Sequence, residues 1–261
     1  MNLEHILKDW SKWSSAPAKV IRPLGGLSNA SYLIQTGTDH LVIRINQIDE
    51  GFGISRTREN NVLSAIAHCA FAPKIRFEHP CYLVSEYAVA VDENLLEPEE
   101  MGALFRQIHE IPFADDHIFD LKFQINLYYQ QIPNPESALK RCLEKVSDIA
   151  LAEGPPQLCH NDLLPANIIR SVKGTTVIDW EYAQLGDPLF DLAVYAESLS
   201  LTQTKTMELI STYGKKIDEL SLMKNRLCYA LIETLWWKLK KPQIDITLRL
   251  KKLEKRLAYL N

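Results

Sequence analysis

The residues with the clearest chemical potential lie between Leu158 and Leu192, in LCHNDLLPANIIRSVKGTTVIDWEYAQLGDPLFDL. An apolar strand delivers His160, Asn161 and Asp162 into a loop, Asn167 closes that loop, and Ile168-Ile169 begins a short strand. A Lys173-Gly174 turn follows, then a second strand, Thr175 to Ile178, which ends on Asp179. Two short β-runs joined by a glycine turn make a hairpin, so Asn167 before its first strand and Asp179 after its second should lie close together. With Asp162 they make a set of two acids and an amide. Hard divalent cations such as magnesium take oxygen ligands. Phosphoryl transfer needs charge neutralisation and a group that orients the attacking hydroxyl. Taken singly, an Asp or Asn in a loop satisfies its own turn; the order D-x-x-x-x-N, then a strand ending in Asp, is what gives the set weight.

The elements that must position these groups fall into two halves. Asn2 to Trp13 has a helical period with Asn2 as cap. Val20 to Leu24 and Ser31 to Gln35 read as strands joined by Gly25-Gly26-Leu27-Ser28-Asn29. Glycines there let the backbone approach a ligand and aim N–H groups at phosphate oxygens. Leu41 to Ile45 alternates as a strand, with Arg44 on the face opposite Leu41 and Ile43. A helix over Thr57 to His68 follows, then strands at Pro73 to Ile75 and Tyr82 to Tyr87. From Pro98 the pattern is helical: Glu99 to Glu110, Phe123 to Ile132 and Glu136 to Ala150. Asp187-Pro188 marks a further helix start, with Asp187 as cap and Pro188 at the first position. Leu192 to Asn261 stays helical apart from a break near Pro242, and its basic KKLEKR stretch reads as a solvated helix face.

Composition narrows the partners. The net charge of -4 over 261 residues, with no long Lys/Arg run, argues against nucleic acid, where phosphate neutralisation dominates binding. The five cysteines are scattered and odd in number, against a disulfide framework. The N-terminal MNLEHILKDWSKW lacks the apolar core of a signal peptide, and no run is long enough to span a bilayer, so a reduced cytoplasmic protein is expected. Oligomeric state is not legible.

The strings HNDLLPAN and IDWEYAQLGDPLFDLA resemble the catalytic segment of the aminoglycoside phosphotransferase and choline kinase superfamily, and GGLSN resembles the phosphate loop of the same proteins. The short length and LYYQQ are also similar to bacterial thiamine kinases. The resemblance implies an α+β, protein-kinase-like two-lobed fold, with an antiparallel-sheet N-terminal lobe over residues 1–88 and a mainly helical C-terminal lobe over 89–261. It implies an ATP- and magnesium-dependent kinase acting on the alcohol of a small cationic metabolite: choline or ethanolamine first, then thiamine, then an aminoglycoside or sugar-type substrate. A non-catalytic kinase-like binding protein is the rival of a different class.

Carried over by motif, Asp162 orients the substrate hydroxyl, and Asn167 and Asp179 hold magnesium. Gly25, Gly26, Ser28, Asn29 and Arg44, with Glu59 as partner of Arg44, bind the nucleotide phosphates, and Glu86 and Tyr87 fall at the hinge. Glu181, Tyr182, Glu197, Trp236 and Trp237 are expected at the substrate; His160, Asp187 and Asp191 support the loop. Where choline kinases have a second Trp one turn before Trp236, this chain has Glu233, so the aromatic box is less complete. This is not a protein-kinase sequence: Asn161 stands where Arg follows the His, and Asp179-Trp180-Glu181 replaces D-F-G.

Overall fold

The computed structural model describes residues 2–26, 28–47, 52–91, 96–151 and 154–260. Leu27 of the glycine hairpin lies outside these. The first half contains α1 (Leu3–Lys8), β1 (Ala18–Gly25), β2 (Ala30–Thr36), β3 (Asp39–Ile45), α2 (Arg56–Ile66), β4 (Ile75–His79) and β5 (Tyr82–Glu86). There follow α3 (Pro98–His109), α4 (Leu121–Gln130), α5 (Ser137–Asp148), β6 (Gln157–Cys159), β7 (Ile168–Ser171), β8 (Gly174–Val177) and β9 (Gln184–Gly186). The chain ends with α6 (Pro188–Ser198), α7 (Gln203–Tyr213), α8 (Glu219–Lys240) and α9 (Thr247–Tyr259). It divides into two compact units, Met1–Glu93 with Asn167–Glu181, and Asn94–Ala166 with Tyr182–Asn261. The break in the chain between the two units falls at Glu93 and Asn94. The β7–β8 hairpin belongs to the first unit.

The first unit is built on an antiparallel sheet of order β1-β2-β3-β5-β4. Alternation along β2, β3 and β5 sends Ile34, Leu41, Ile43, Tyr82 and Val84 to one face, where Ile6 of α1 and Trp13 complete the core. Asn2 caps α1, its Oδ1 accepting the His5 N–H at 3.1 Å. By the same period Arg44 lies on the opposite face. β4 begins at Ile75, where Pro73 to Ile75 had been expected to form the strand; Pro73 has no N–H to give a ladder, and the carbonyl of Lys74 accepts from Glu86 N only at the strand's mouth.

The second unit is mainly helical. α3 packs on α7, and Gly102 permits it, since a Cβ there would stand 2.5 Å from Tyr213 N. α6 packs on α8, and α9 lies on α5 and α8. Between them runs β6, paired antiparallel with β9 so that Cys159 faces Gln184. β9 is a strand the sequence did not announce, because three residues are too few to show an alternation. No helix among the described residues is long and apolar enough to cross a membrane.

Candidate active site

In the first unit the β7–β8 hairpin performs what its spacing implied. Ile168 pairs with Val177, and Ile178 N–H donates to the Asn167 carbonyl at 2.9 Å, bringing Asn167 and the residue preceding Asp179 together at the open end. Asp179 adopts φ 67°, a left-handed conformation that Asp tolerates better than most residues. Its carboxylate faces Arg44 of β3, whose Nη1 lies 3.4 Å from Oδ1, while about a third of the side chain, 34%, stays exposed.

Arg44 is shared. Its guanidinium meets Glu59 of α2 at 2.6 and 2.8 Å, and Glu59 is buried. Burial raises the Glu59 carboxyl, but the Arg44 charge and hydrogen bond outweigh it and hold the group below its ordinary value. Burial would likewise lower the Arg44 guanidinium; Glu59, and then Asp179, hold it above. Asp179 receives less positive charge than its crowding demands, so burial, with Glu59 adding repulsion, pushes it up.

A second arginine, Arg56 at the start of α2, was not singled out from sequence. Its Nη1 donates to Glu59 at 2.8 Å and to Glu181 at 2.9 Å, and its Nη2 to Asn29 Oδ1 at 3.0 Å. Asn29 Nδ2 donates to Glu181 at 2.7 Å, and Asn29 Oδ1 also accepts from Gln47 N. Glu181, expected at the substrate, thus belongs to the charge network of the first unit, tied to the glycine hairpin by Asn29 and to α2 by Arg56. Burial, then the Asp179 charge, raise its carboxyl. The hairpin itself needs Gly26: its φ is 134°, and a Cβ would stand 2.6 Å from the Asn29 carbonyl oxygen. Gly25 precedes it at φ 80°, and Ser28 follows in a bend. Glu86 and Tyr87 end β5 with their N–H groups donated to Lys74 O and His40 O, and Glu86 pairs with Arg76 at 2.7 Å.

In the second unit the loop after β6 is braced from α6. Asp191 is fully buried and accepts from His160 N at 2.8 Å, from Asn161 N at 2.7 Å and from His109 Nε2 at 3.1 Å. A buried carboxylate needs such donors. They hold Asn161 at φ 62°, and its Nδ2 reaches the Tyr182 carbonyl at 3.0 Å. His160 Nδ1 accepts from Asp162 N at 3.3 Å, and the Asp162 carbonyl accepts from Leu164 N at 2.8 Å, so the backbone carrying Asp162 is pinned on both sides. Asp187 caps α6 through Leu189 N at 2.9 Å, and burial raises its carboxyl. His109, also unannounced by sequence, has its other ring nitrogen, Nδ1, 2.9 Å from the Tyr213 hydroxyl. Cys159 is near enough to join His109 and Asp191 in holding an ion, but burial pushes its thiol well up.

The residues expected around a substrate cation separate. Glu197 is fully buried, and both oxygens are engaged: Arg226 Nε at 2.7 Å, Arg256 at 2.8 and 3.1 Å, and Lys252 at 3.3 Å. It ties α9 to α6 and α8, and three cations leave it no charge for a ligand. Trp236 and Trp237 of α8 are half-buried and meet edge to face, centroids 5.3 Å apart. Tyr182 sits beside the braced loop through its carbonyl.

A first unit built on a five-stranded antiparallel sheet and a mainly helical second unit make a protein-kinase-like fold. Residues 19–217 match the phosphotransferase enzyme family, and the chain belongs to it. It is 33% identical to the protein LicA of Haemophilus influenzae over 252 residues, 83% of this chain and 72% of that protein. Against LicA of Haemophilus influenzae strain Rd the match spans 63% of that protein's length. It is 27% identical to thiamine kinase of Escherichia coli O9:H4 over 197 residues, covering 73% of this chain and 69% of the other. The crystal structure of choline kinase LicA from Streptococcus pneumoniae superposes with a TM-score of 0.81 at 21% identity, covering 98% of each chain. LicA in complex with AMP gives 0.80 at 21% identity, over 99% of this chain and 98% of that one.

Proposed function

We propose that the chain is an ATP-dependent kinase phosphorylating the alcohol of a small cationic metabolite, choline or ethanolamine first and thiamine next. The observation that carries this reading is the preformed fork of Arg44 on Glu59 and Asp179. It is the arrangement that places a fixed positive charge at a nucleotide's phosphates beside an oxygen ligand for a metal. Gly25, Gly26, Ser28 and Asn29 frame the phosphates, and Glu86 and Tyr87 mark the adenine end.

The donor set fits magnesium. Asp179 offers a partly exposed carboxylate whose cation contact is long, and Asn167 an amide from the same hairpin end. Bound there, magnesium would neutralise charge on the β- and γ-phosphates. The alcohol oxygen attacks the γ-phosphorus, the bond to the ADP bridging oxygen breaks, and the alcohol proton passes to Asp162. Positioning contributes more than basicity in a loose transition state, so an ordinary carboxylate pinned through its backbone suffices. Tyr182, Trp236 and Trp237 are the proposed substrate side, and Glu181 and Glu197 become supports. All five cysteines are free thiols, which suits a reducing, cytoplasmic setting.

An ATP-consumption screen over choline, ethanolamine, thiamine, homoserine, sugars and aminoglycosides tests the reading. Turnover with a cationic alcohol is the expected result. Silence across the panel would favour a non-catalytic kinase-like binding protein, and turnover with sugars alone would remove the cationic substrate.

A further inference from the structure

On one face of α8, Tyr229, Glu233 and Trp237 follow at a spacing of four residues. This is the arrangement a ligand cation would use: an aromatic face with a carboxylate beside it. It already holds a cation of the protein's own. The guanidinium carbon of Arg249, from α9, lies 4.7 Å from the centroid of the Trp237 ring, and Lys241 Nζ lies 5.6 Å from it. Arg249 also faces Glu233, but loosely, with Nε 3.8 Å from Oε1. That Nε is buried and without a hydrogen-bond partner. The contrast with the neighbouring Glu197 cluster is sharp, since its arginine contacts run from 2.7 to 3.1 Å. A buried donor left unmade is a liability, so Arg249 is seated over Trp237 without being satisfied there.

A further fact makes its departure easy. α9 is anchored by Lys252 and Arg256 on Glu197 and by buried Leu253 and Leu257, so the helix stays in place if the Arg249 side chain swings out.

We propose that Arg249 is a built-in occupant of the Trp237–Glu233 cation site, and that a cationic substrate binds there by displacing its guanidinium. Arg249 thereby sets an affinity threshold. Only a ligand whose cation outcompetes an arginine on the same aromatic face and carboxylate is admitted. This rests on the reading of the substrate as a cationic alcohol, and the test separates the two. Tetramethylammonium, which has no hydroxyl, is titrated against the intact chain by tryptophan fluorescence, in the wild type and in Arg249→Met, which keeps the aliphatic stem. Removing the internal competitor should tighten tetramethylammonium binding about tenfold, within the range of a partly desolvated cation–π contact. Adding Trp237→Leu should abolish the gain. KM for the cationic alcohol found by the substrate screen should fall by a similar factor while KM for ATP stays unchanged. Unchanged or weaker tetramethylammonium binding in Arg249→Met overturns the proposal. So does a higher KM for a zwitterionic amino-alcohol, because the guanidinium would then itself be a ligand, for a substrate carboxylate. Should Arg249→Met melt early, Arg249→Gln makes the same comparison. Tightened tetramethylammonium binding without turnover of any alcohol would sustain the displaced-arginine site and sink the kinase reading alone.

Discussion

Arg56 has no local signal in the sequence, yet it neutralises two buried carboxylates, Glu59 and Glu181, and steadies Asn29 of the glycine hairpin. Replacing it by Ala leaves those carboxylates short of positive charge, so Asn29 and Asp179 lose their fixed positions. The expected outcome is a rise in KM for ATP of about 10- to 100-fold, the usual consequence of losing a supporting partner of a ligand-binding group. Partial rescue by Arg56→Lys, and a KM for the alcohol that hardly moves, distinguish positioning from general damage. Asp162 behaves differently. Its side chain is proposed to take the alcohol proton, so Asp162→Ala should lower kcat by about 100-fold or more while ATP binding, followed by calorimetry, is retained. Full turnover in that variant would remove its role.

At the level of elements, α9 is held to α6 and α8 by Glu197, which Arg226, Lys252 and Arg256 surround. Arg226 is itself buried, so deleting the carboxylate strands a buried cation. Breaking a buried pair from one side typically costs about 3–5 kcal/mol. Glu197→Ala should shift the chemical-denaturation midpoint accordingly, whereas Arg141→Ala, which breaks an exposed pair with Glu254, should shift it by less than about 1 kcal/mol. Equal effects would show that the Glu197 cluster is not what fastens α9. The β6 loop obeys the same logic. Asp191 sits on α6, and the His160 and Asn161 N–H groups it accepts from couple the start of that helix to the backbone leading into Asp162, so the geometry of the proposed base is set by helix packing.

Across the whole molecule, pH acts through two classes of carboxyl. Burial raises Glu59 and Glu197, but their cations outweigh it, so both lie below the ordinary 4.5. Groups with a depressed folded value contribute stability that is present above about 4.5 and lost as pH falls through that folded value. Asp179, Glu181, Asp187 and Glu233 are raised, in each case by burial first. Their ionised forms weigh against folding, and acid relieves that penalty as it protonates them. Stability should therefore hold or rise slightly on descending to about pH 5, as the raised carboxyls protonate, and fall below about 4.5 as Glu59 and Glu197 protonate. Denaturation midpoints measured between about pH 3 and pH 7 check this, with Glu59→Gln and Glu197→Gln expected to flatten the acid limb. A limb unchanged in both variants would mean that other carboxyls govern it.

What the chain alone made legible is local. The D-x-x-x-x-N string and the glycine turn place Asn167 and Asp179 at one hairpin end. The β3 alternation sets the face of Arg44, the family resemblance pairs it with Glu59, and Asp-Pro starts α6. Each follows from backbone periods and turn chemistry over a few residues, together with motif strings that resemble a known family. The partners of buried charge were not legible in this way. Glu181 reads like any acid in a motif, but its donors come from 152 and 125 residues away. Glu197 looks equally available to a ligand until α9 folds back on it from 59 residues downstream. Arg249 stands just before the basic KKLEKR run, and nothing in the sequence distinguishes it from that solvated helix face. Whether a charged side chain meets water, a carboxylate or an indole ring depends on which helices pack together, and that long-range packing settled the environments of Glu181, Glu197 and Trp237.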